Sequence, residues 1–455
     1  MSTKKTLGPR EILITFGGFL IIALFLWLLF FLTEPISVFL ILAGVLFAFF
    51  VSVNPLYGLF LLLILRPTLD IFAGQSIFSI GKYSLNIASV LAIFTISFCL
   101  ITLLGNFKKI RSLPLKLPLF LFIFISLASI FFSFNPALGT IEWLRILSIF
   151  SMYLLGFILI KNPDDFKKLI YVIIFSAVIP GLTAFYQFFT RSGMTIIDEN
   201  ISNRIFGTFA HPNLFAYYLT IPLTLSIFLI LNKQKYFTHS FLIKLSATCF
   251  FILLLLTYTR GAWAVFLMII FILGIIRYKK FLFGSAIALM LLYFIVPPLN
   301  TRINNLFEYD PYSSISWRIN LWKDSIKYSQ EKIVLGHGLG TANELILDRR
   351  GERFGSPDPH NDYLKILIET GFLGITSYLI LTIALLFNLL KRYFNSDSAF
   401  AKNLFLLFIG ISIGLYIMSF ADNILRNTAL QWTFWILLGG LFSAYPWQKK
   451  KTKFT

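Results

Sequence analysis

The chain has 455 residues, a mean hydropathy of +0.82, 58% hydrophobic and 13% charged residues, and a net charge of +19. This composition excludes a soluble enzyme of two or three domains and indicates a membrane protein that crosses the bilayer many times. The basic excess suggests nucleic acid only until its distribution is read, because it is confined to short connections between apolar runs.

A bilayer core of roughly 30 Å needs about 20 apolar residues per helix. Runs of that kind fall near 12–32, 36–52, 56–72, 84–104, 117–134, 138–160, 169–190, 214–232, 245–258, 262–276, 281–299, 365–390, 403–420 and 429–446. The expected fold is therefore an all-α polytopic membrane protein of about 12–14 transmembrane helices. The first run follows Lys4, Lys5 and Arg10 but is too long for a signal peptide and lacks a small-residue cleavage site, so it reads as the first helix. Cys99 and Cys249 both lie inside apolar runs and suggest no disulfide framework.

Lysines and arginines gather in one alternate set of connections: Lys108, Lys109, Arg111 and Lys116; Lys161, Lys167 and Lys168; Lys233, Lys235 and Lys244; Arg277, Lys279 and Lys280; Lys391, Arg392 and Lys402; Lys449–Lys451 with Lys453. Short basic loops mark the cytoplasmic side. Both termini are expected there, and no nucleic-acid surface is implied. The opposite set contains two long connections. Residues 191–213 carry Arg191, Asp198, Glu199, Arg204 and His211, and residues 300–364 form a polar segment with balanced charge. Loops this long are usually functional or disordered. In the second, Ile315, Ile319, Trp322 and Ile326 recur at helical spacing, which predicts an amphipathic helix on the membrane surface. Gly336-His337-Gly338-Leu339-Gly340 predicts a turn, and a short helix follows around 341–350. The chain thus divides into a helical part at 1–299, a large outer loop at 300–364 and a helical part with a basic tail at 365–455.

Arginines stand where apolar sequence would suffice. Arg260 interrupts two apolar runs, and a charge at membrane depth costs roughly 2.5–3.5 kcal/mol on insertion scales unless it faces a cavity or a partner. Arg66 lies at an equivalent depth, Arg204 precedes Gly207–Asn213, Arg318 begins the surface helix, and Arg145 follows Glu142 by three residues, a spacing that pairs them. The planar guanidinium fork suits phosphate. Interfacial snorkelling is the alternative reading. Pro359-His360-Asn361-Asp362 then sits where the long loop enters an apolar helix that continues through Glu369, Gly371 and Gly374. A neutral His360 can take a proton near pH 7, and Asp362 or Glu369 can orient it. His360 at such a junction also fits a helix cap. Metal chemistry has little support: His211, His337 and His360 lie outside, His239 lies in a cytoplasmic loop, and no zinc-type spacing occurs.

The pair His360-Asn361, nine residues, then Gly371-x-x-Gly374, together with Thr259-Arg260-Gly261-Ala262-Trp263 and the Arg204–Asn213 run, resembles the O-antigen ligase/polymerase superfamily over roughly residues 55–440. The resemblance implies a helical architecture of the C-type glycosyltransferase kind and a membrane transferase without nucleotide, metal or other cofactor. Its donor would be an undecaprenyl-diphosphate-linked glycan. A ligase would use lipid A-core as acceptor, and a polymerase a second lipid-linked glycan. The site would face the periplasm from the bacterial inner membrane. The resemblance makes His360 the base and assigns the diphosphate to Arg260 and Arg318. Depth and chemistry add Arg66 and Arg204, with Asn361, Asp362, Glu369 and Asp422 as supporting residues. A lipid-linked oligosaccharide transporter is the rival of another class, but no internal repeat is visible and the unusual charges gather at helix ends rather than mid-membrane.

Overall fold

The computed structural model describes residues 51, 53–72, 76–80, 83–196, 201–232, 240–295, 300, 304, 314–351 and 356–446. Several sequence expectations lie outside these residues: the spans at 12–32 and most of 36–52, the basic residues Lys4, Lys5, Arg10, Lys233, Lys235 and Lys449–Lys451 with Lys453, and Asp198, Glu199 and His239. Contacts divide the chain into Met1–Leu61 and Leu62–Thr455. The first unit contributes the opening turns of helix α1 (Pro55–Thr68), and the elements after α1 belong to the second.

Among the described residues the fold is all-α apart from two hairpins, β1 (Ser76–Ile80) with β2 (Tyr83–Asn86) and β3 (Met194–Ile196) with β4 (Ile201–Arg204). The helices are α2 (Ile87–Leu104), α3 (Phe107–Ile110), α4 (Lys116–Ile130), α5 (Pro136–Leu159), α6 (Pro163–Ser176), α7 (Val178–Thr190), α8 (Pro212–Leu231), α9 (Ser240–Leu256), α10 (Arg260–Ile276), α11 (Lys279–Ile295), α12 (Ser314–Ser329), α13 (Ala342–Arg350), α14 (Asp362–Asn395), α15 (Ala399–Met418) and α16 (Thr428–Ala444). Among the described residues, seven helical stretches are long and apolar enough to cross a membrane. Four shorter apolar helices accompany them. The apolar run expected as one span at 169–190 belongs to a longer stretch, Pro163–Thr190, in which α6 and α7 follow one another across Ala177. The chain is an all-α polytopic membrane protein.

Helix starts follow local chemistry. Asn86, Asn135, Asn162, Ser398 and Asn427 each accept a backbone N–H from the first turn of the helix they precede, and Pro136, Pro163 and Pro212 fill the first turn where no donor is needed. The core is centred on α5 and α16. A Cβ on Gly156 would collide with the Ile436 carbonyl, and one on Gly439 with the Tyr153 carbonyl. The missing side chains let the two backbones touch, the packing that small residues provide between helices in lipid. Tyr153, Trp432 and Phe442 fill the space around that crossing.

The described part of the long connection before α14, residues 314–351, is folded. Leu321 on α12 packs with Ala342, Leu345 and Ile346 on α13 and with Ile368 on α14, a small core of its own. The sequence stripe is therefore not the packed face of α12: Ile319 and Ile326 stay about half exposed while Leu321 and Ser325 are fully buried. Trp322 is the exception in the stripe, because its indole donates to the Pro359 carbonyl at 2.7 Å. Gly336–Gly340 forms the turn between these helices, and α14 is interrupted at Gly371, where φ is +65°. The interruption frees backbone groups that pair with the turn: His337 N donates to Ile368 O (2.8 Å), Gly338 N to Glu369 O (3.0 Å) and Phe372 N to Ile333 O (2.7 Å). The connection is thus fastened to α14 through backbone hydrogen bonds a few residues beyond His360.

Candidate active site

Four segments meet at His360. The first is the loop from β4 into α8, carrying Arg204, His211 and Asn213. The second is the turn Thr257–Arg260 between α9 and α10, the third is the first turns of α12 with Arg318, and the fourth is the link from α15 to α16 with Ala421 and Asp422. His360 itself is held in the left-handed region (φ +47°), costly for a residue with a side chain and therefore imposed by its surroundings. Asp358 imposes it. Its Oδ1 accepts the His360 N–H at 3.0 Å, and its Oδ2 accepts from Lys365 Nζ at 2.9 Å. Burial would raise the Asp358 carboxyl, but the Lys365 ammonium and the His360 N–H hold it far below the usual carboxylate range.

The imidazole points toward Asp422, with Nδ1 3.5 Å from Oδ1. Nδ1 is buried and makes no well-formed hydrogen bond, while the side chain as a whole stays 29% exposed. Asp422 in turn accepts from Asn213 Nδ2 at 3.0 Å. Burial opposes the Asp422 charge, but His360, the Asn423 backbone and Arg318 hold its carboxyl below the usual value. A carboxylate kept ionised beside the buried nitrogen of a histidine is the arrangement in which the opposite nitrogen works as a base.

Arg204 and Arg318 are anchored on this carboxylate's neighbours, and Arg260 stands between their charges. Arg318 Nη1 donates to the Ala421 carbonyl at 2.8 Å, while its Nε is buried with no hydrogen-bond partner. Arg204 donates from Nε to Thr257 O (2.8 Å) and from Nη2 to Asn213 Oδ1 (3.0 Å) and Thr259 Oγ1 (3.1 Å). Arg260 opens α10 one residue after Thr259 and lies close enough to both Arg204 and Arg318 for their charges to repel. Burial, helped by Arg260 and opposed by Asp422, pulls the Arg204 guanidinium down to about 10, which leaves it charged at neutral pH. Three guanidiniums thus gather at this site, with Arg204 and Arg318 acting on the Asp422 carboxylate and Arg260 close to both, an arrangement suited to an anion with several oxygens.

The supporting residues occupy other places. Asn361 caps α14 by accepting from Leu364 N at 3.1 Å. Asp362 is buried and accepts the Leu425 N–H at 3.0 Å, tying α14 to the α15–α16 link. Glu369 belongs to a buried charge cluster: Arg426 Nη2 lies 3.5 Å from its Oε1 and Arg426 Nε 3.6 Å from Glu142 Oε1, while Arg145 donates to Glu142 Oε2 at 2.9 Å. Neither acid therefore contacts the His360 ring, which turns to Asp422 instead. Arg66 pairs with Asp70 and Thr428 and stacks over Trp432, with no contact to the His360 group. His211 caps α8 through Nδ1, which accepts the Asn213 N–H at 3.1 Å. Burial, then the Arg204 charge, lower its imidazole against the pull of Asp422. Among the described residues no group of three or more metal-ligating side chains comes together.

The O-antigen ligase family model matches residues 245–379. The chain is therefore similar to that family over its helices α9 and α10 and the region around His360. The match runs from α9 to the middle of α14 and includes Arg260, Arg318, His360, Asn361, Asp362 and Glu369; Arg66, Arg204 and Asp422 lie outside it. No curated protein matches the chain. The similarity suggests glycosyl transfer of the ligase or polymerase type, in which lipid-linked glycans are handled at a membrane. Sequence reasoning missed Asp358 at the site and Arg426 in the neighbouring charge cluster. Asp358 lay in plain view beside His360. Arg426 carried the same signal as Arg66 and Arg260, a lone arginine between apolar runs.

Proposed function

We propose that this protein transfers a glycan from undecaprenyl diphosphate to a sugar hydroxyl of lipid A-core, at the periplasmic face of a bacterial inner membrane, with both termini cytoplasmic. The observation that carries the reading is the His360–Asp422 pair beside three arginines. The acceptor hydroxyl gives its proton to His360 Nε2 as its oxygen attacks the anomeric carbon. The bond from that carbon to the diphosphate oxygen breaks, and the electron pair leaves with the diphosphate. Asp422 stabilises the imidazolium that forms. Arg260, Arg318 and Arg204 hold the diphosphate and stabilise the charge that grows on it, the kind of term that dominates catalysis when donors are fixed in advance. Attack opposite the leaving group inverts the anomeric centre. The folded segment 314–350 roofs the acceptor side, and the exposed Ile319 and Ile326 on α12 meet the bilayer surface.

The deciding experiment gives purified protein the undecaprenyl-diphosphate-linked glycan with and without lipid A-core. Product formed only with lipid A-core supports the ligase. Longer lipid-linked chains formed without it replace the ligase by a polymerase with the same site chemistry. A folded protein that consumes no donor in either case overturns glycosyl transfer and favours a transporter.

A further inference from the structure

A second group of arginines converges on a cavity that the chemistry at His360 does not use. Its volume is about 290 Å³, and Arg66, Asp70, Arg145 and Arg426 supply its charged lining. Every lining residue lies outside 245–379, so nothing in the matched region builds it. Two helix N-termini open into it: Asn86, Ala88 and Ser89 at the start of α2, and Asn427 and Thr428 at the start of α16. Helix N-termini carry positive partial charge and attract anions.

Positive groups outnumber negative ones on the cavity wall. Three guanidiniums line it with one carboxylate, Asp70, which is held by Arg66. Glu142 and Glu369, the partners of Arg145 and Arg426, face the neighbouring cavity, which both arginines also line. Arg426 approaches both only at 3.5–3.6 Å, long for a charge-assisted hydrogen bond, and its Nε has no hydrogen-bond partner. Arg66 is 4% exposed, and its Nε is likewise buried and unpartnered. A buried donor of that kind is costly unless a ligand meets it. The remaining wall is apolar, and Ile93 on α2 and Ile141 on α5 are exposed at its rim, so the cavity is open beside a surface suited to lipid tails. It also lies against the reaction site: Ala210 and Leu214 line it, on either side of the His211–Asn213 segment that supports Asp422.

We propose that this cavity binds the phosphate group of a second lipid, the acceptor, and holds it beside the donor bound at His360. The inference rests on the proposed function for the word acceptor, while the binding itself needs only a lipid phosphate. Two lipids share that chemistry: a second polyisoprenyl diphosphate and a phosphorylated lipid A.

Native mass spectrometry of the purified chain in detergent, titrated with undecaprenyl diphosphate, with lipid A and with both, counts bound lipids. The expected result is two sites, filled either by two undecaprenyl diphosphates or by one of each lipid, and the pair observed identifies the source. Arg426→Gln weakens the second site about tenfold or more, as loss of one charge-assisted contact requires, and spares the first. Ala88→Phe fills the cavity without removing a charge and does the same, which covers the case in which Arg426→Gln misfolds. Arg318→Ala shows the converse pattern. A single site whichever lipid is offered, lost with Arg318→Ala and indifferent to Ala88→Phe, overturns this proposal and leaves the proposed function standing. Binding of inorganic diphosphate at the second site while neither lipid enters it overturns the lipid assignment. A folded chain that binds no lipid phosphate overturns both readings.

Discussion

At the residue scale the site turns on how His360 is held. Its ring is partly exposed and its buried nitrogen makes no well-formed hydrogen bond, so removing the ring leaves the surrounding bonds intact. His360→Ala is expected to lower the transfer rate roughly 10²–10⁴-fold, the usual contribution of a general base, with an unchanged unfolding temperature; near-wild-type turnover would remove His360 from the mechanism. Asp358 behaves oppositely. Its removal strands Lys365, which is buried and forms an ion pair with Asp358 at 2.9 Å. Asp358→Ala should cost stability on the order of 3–5 kcal/mol, as breaking a buried pair does, and a thermal melt unchanged from wild type would contradict that reading. His211 gives the acid dependence. Burial lowers its imidazole below the ordinary 6.5, so below about pH 6.5 the unfolded chain takes up a proton that the folded chain resists. Stability is lost as pH falls through that range. His211→Asn keeps a capping acceptor that does not titrate, and its melting temperature should fall less between pH 7 and pH 5 than that of the wild type.

At the element scale the turn 336–340 and the break in α14 are a matched pair, which explains the spacing from His360-Asn361 to the glycines. Gly371 is in the left-handed region, and a Cβ there would collide with the Val334 carbonyl; one on Gly336 would stand 2.5 Å from Glu369 C. Gly371→Ala should therefore lower stability by about 1–3 kcal/mol for the strained backbone alone and loosen 314–351, seen as faster proteolysis of that segment and lower transfer. Gly284 in α11 is the control, since a Cβ there meets nothing within 4 Å, and Gly284→Ala should stabilise slightly. The sequence showed the turn and both loop helices, because glycine clustering and helical spacing are local signals. It misplaced the packed face of α12. An apolar stripe marks burial against protein or against lipid alike, and here Ile319 and Ile326 remain exposed while Leu321 makes the contact.

At the scale of the whole molecule, what was legible is what a lone charge between apolar runs betrays. Arg260 stood out that way, Arg204 and Arg318 by their places in the two long outer connections, and the three come together near His360. Arg66 stood out equally but joins Arg145 and Arg426, because chain order does not say which helix ends become neighbours. Asp362 or Glu369, on the helix that His360 precedes, was expected to orient His360, yet the structure fills that position with Asp422, 62 residues beyond the histidine. The same assembly bears on metal dependence. Enzymes that cleave diphosphate bonds often balance the leaving charge with a divalent ion, and here Arg204 and Arg318 act on the Asp422 carboxylate that would have to share in holding such an ion, with Arg260 close to both arginines. A cation placed beside Asp422 would be repelled by these guanidiniums. Transfer is therefore expected to persist in EDTA, and adding magnesium or manganese should leave the rate unchanged. Arg318→Ala should cut the rate at least about 10²-fold, by analogy with loss of one donor to a developing anion, without creating a metal requirement. Loss of activity in EDTA, restored by a divalent metal, would move the leaving-group charge from the arginines to an ion and would leave the arginine excess around Asp422 without a role.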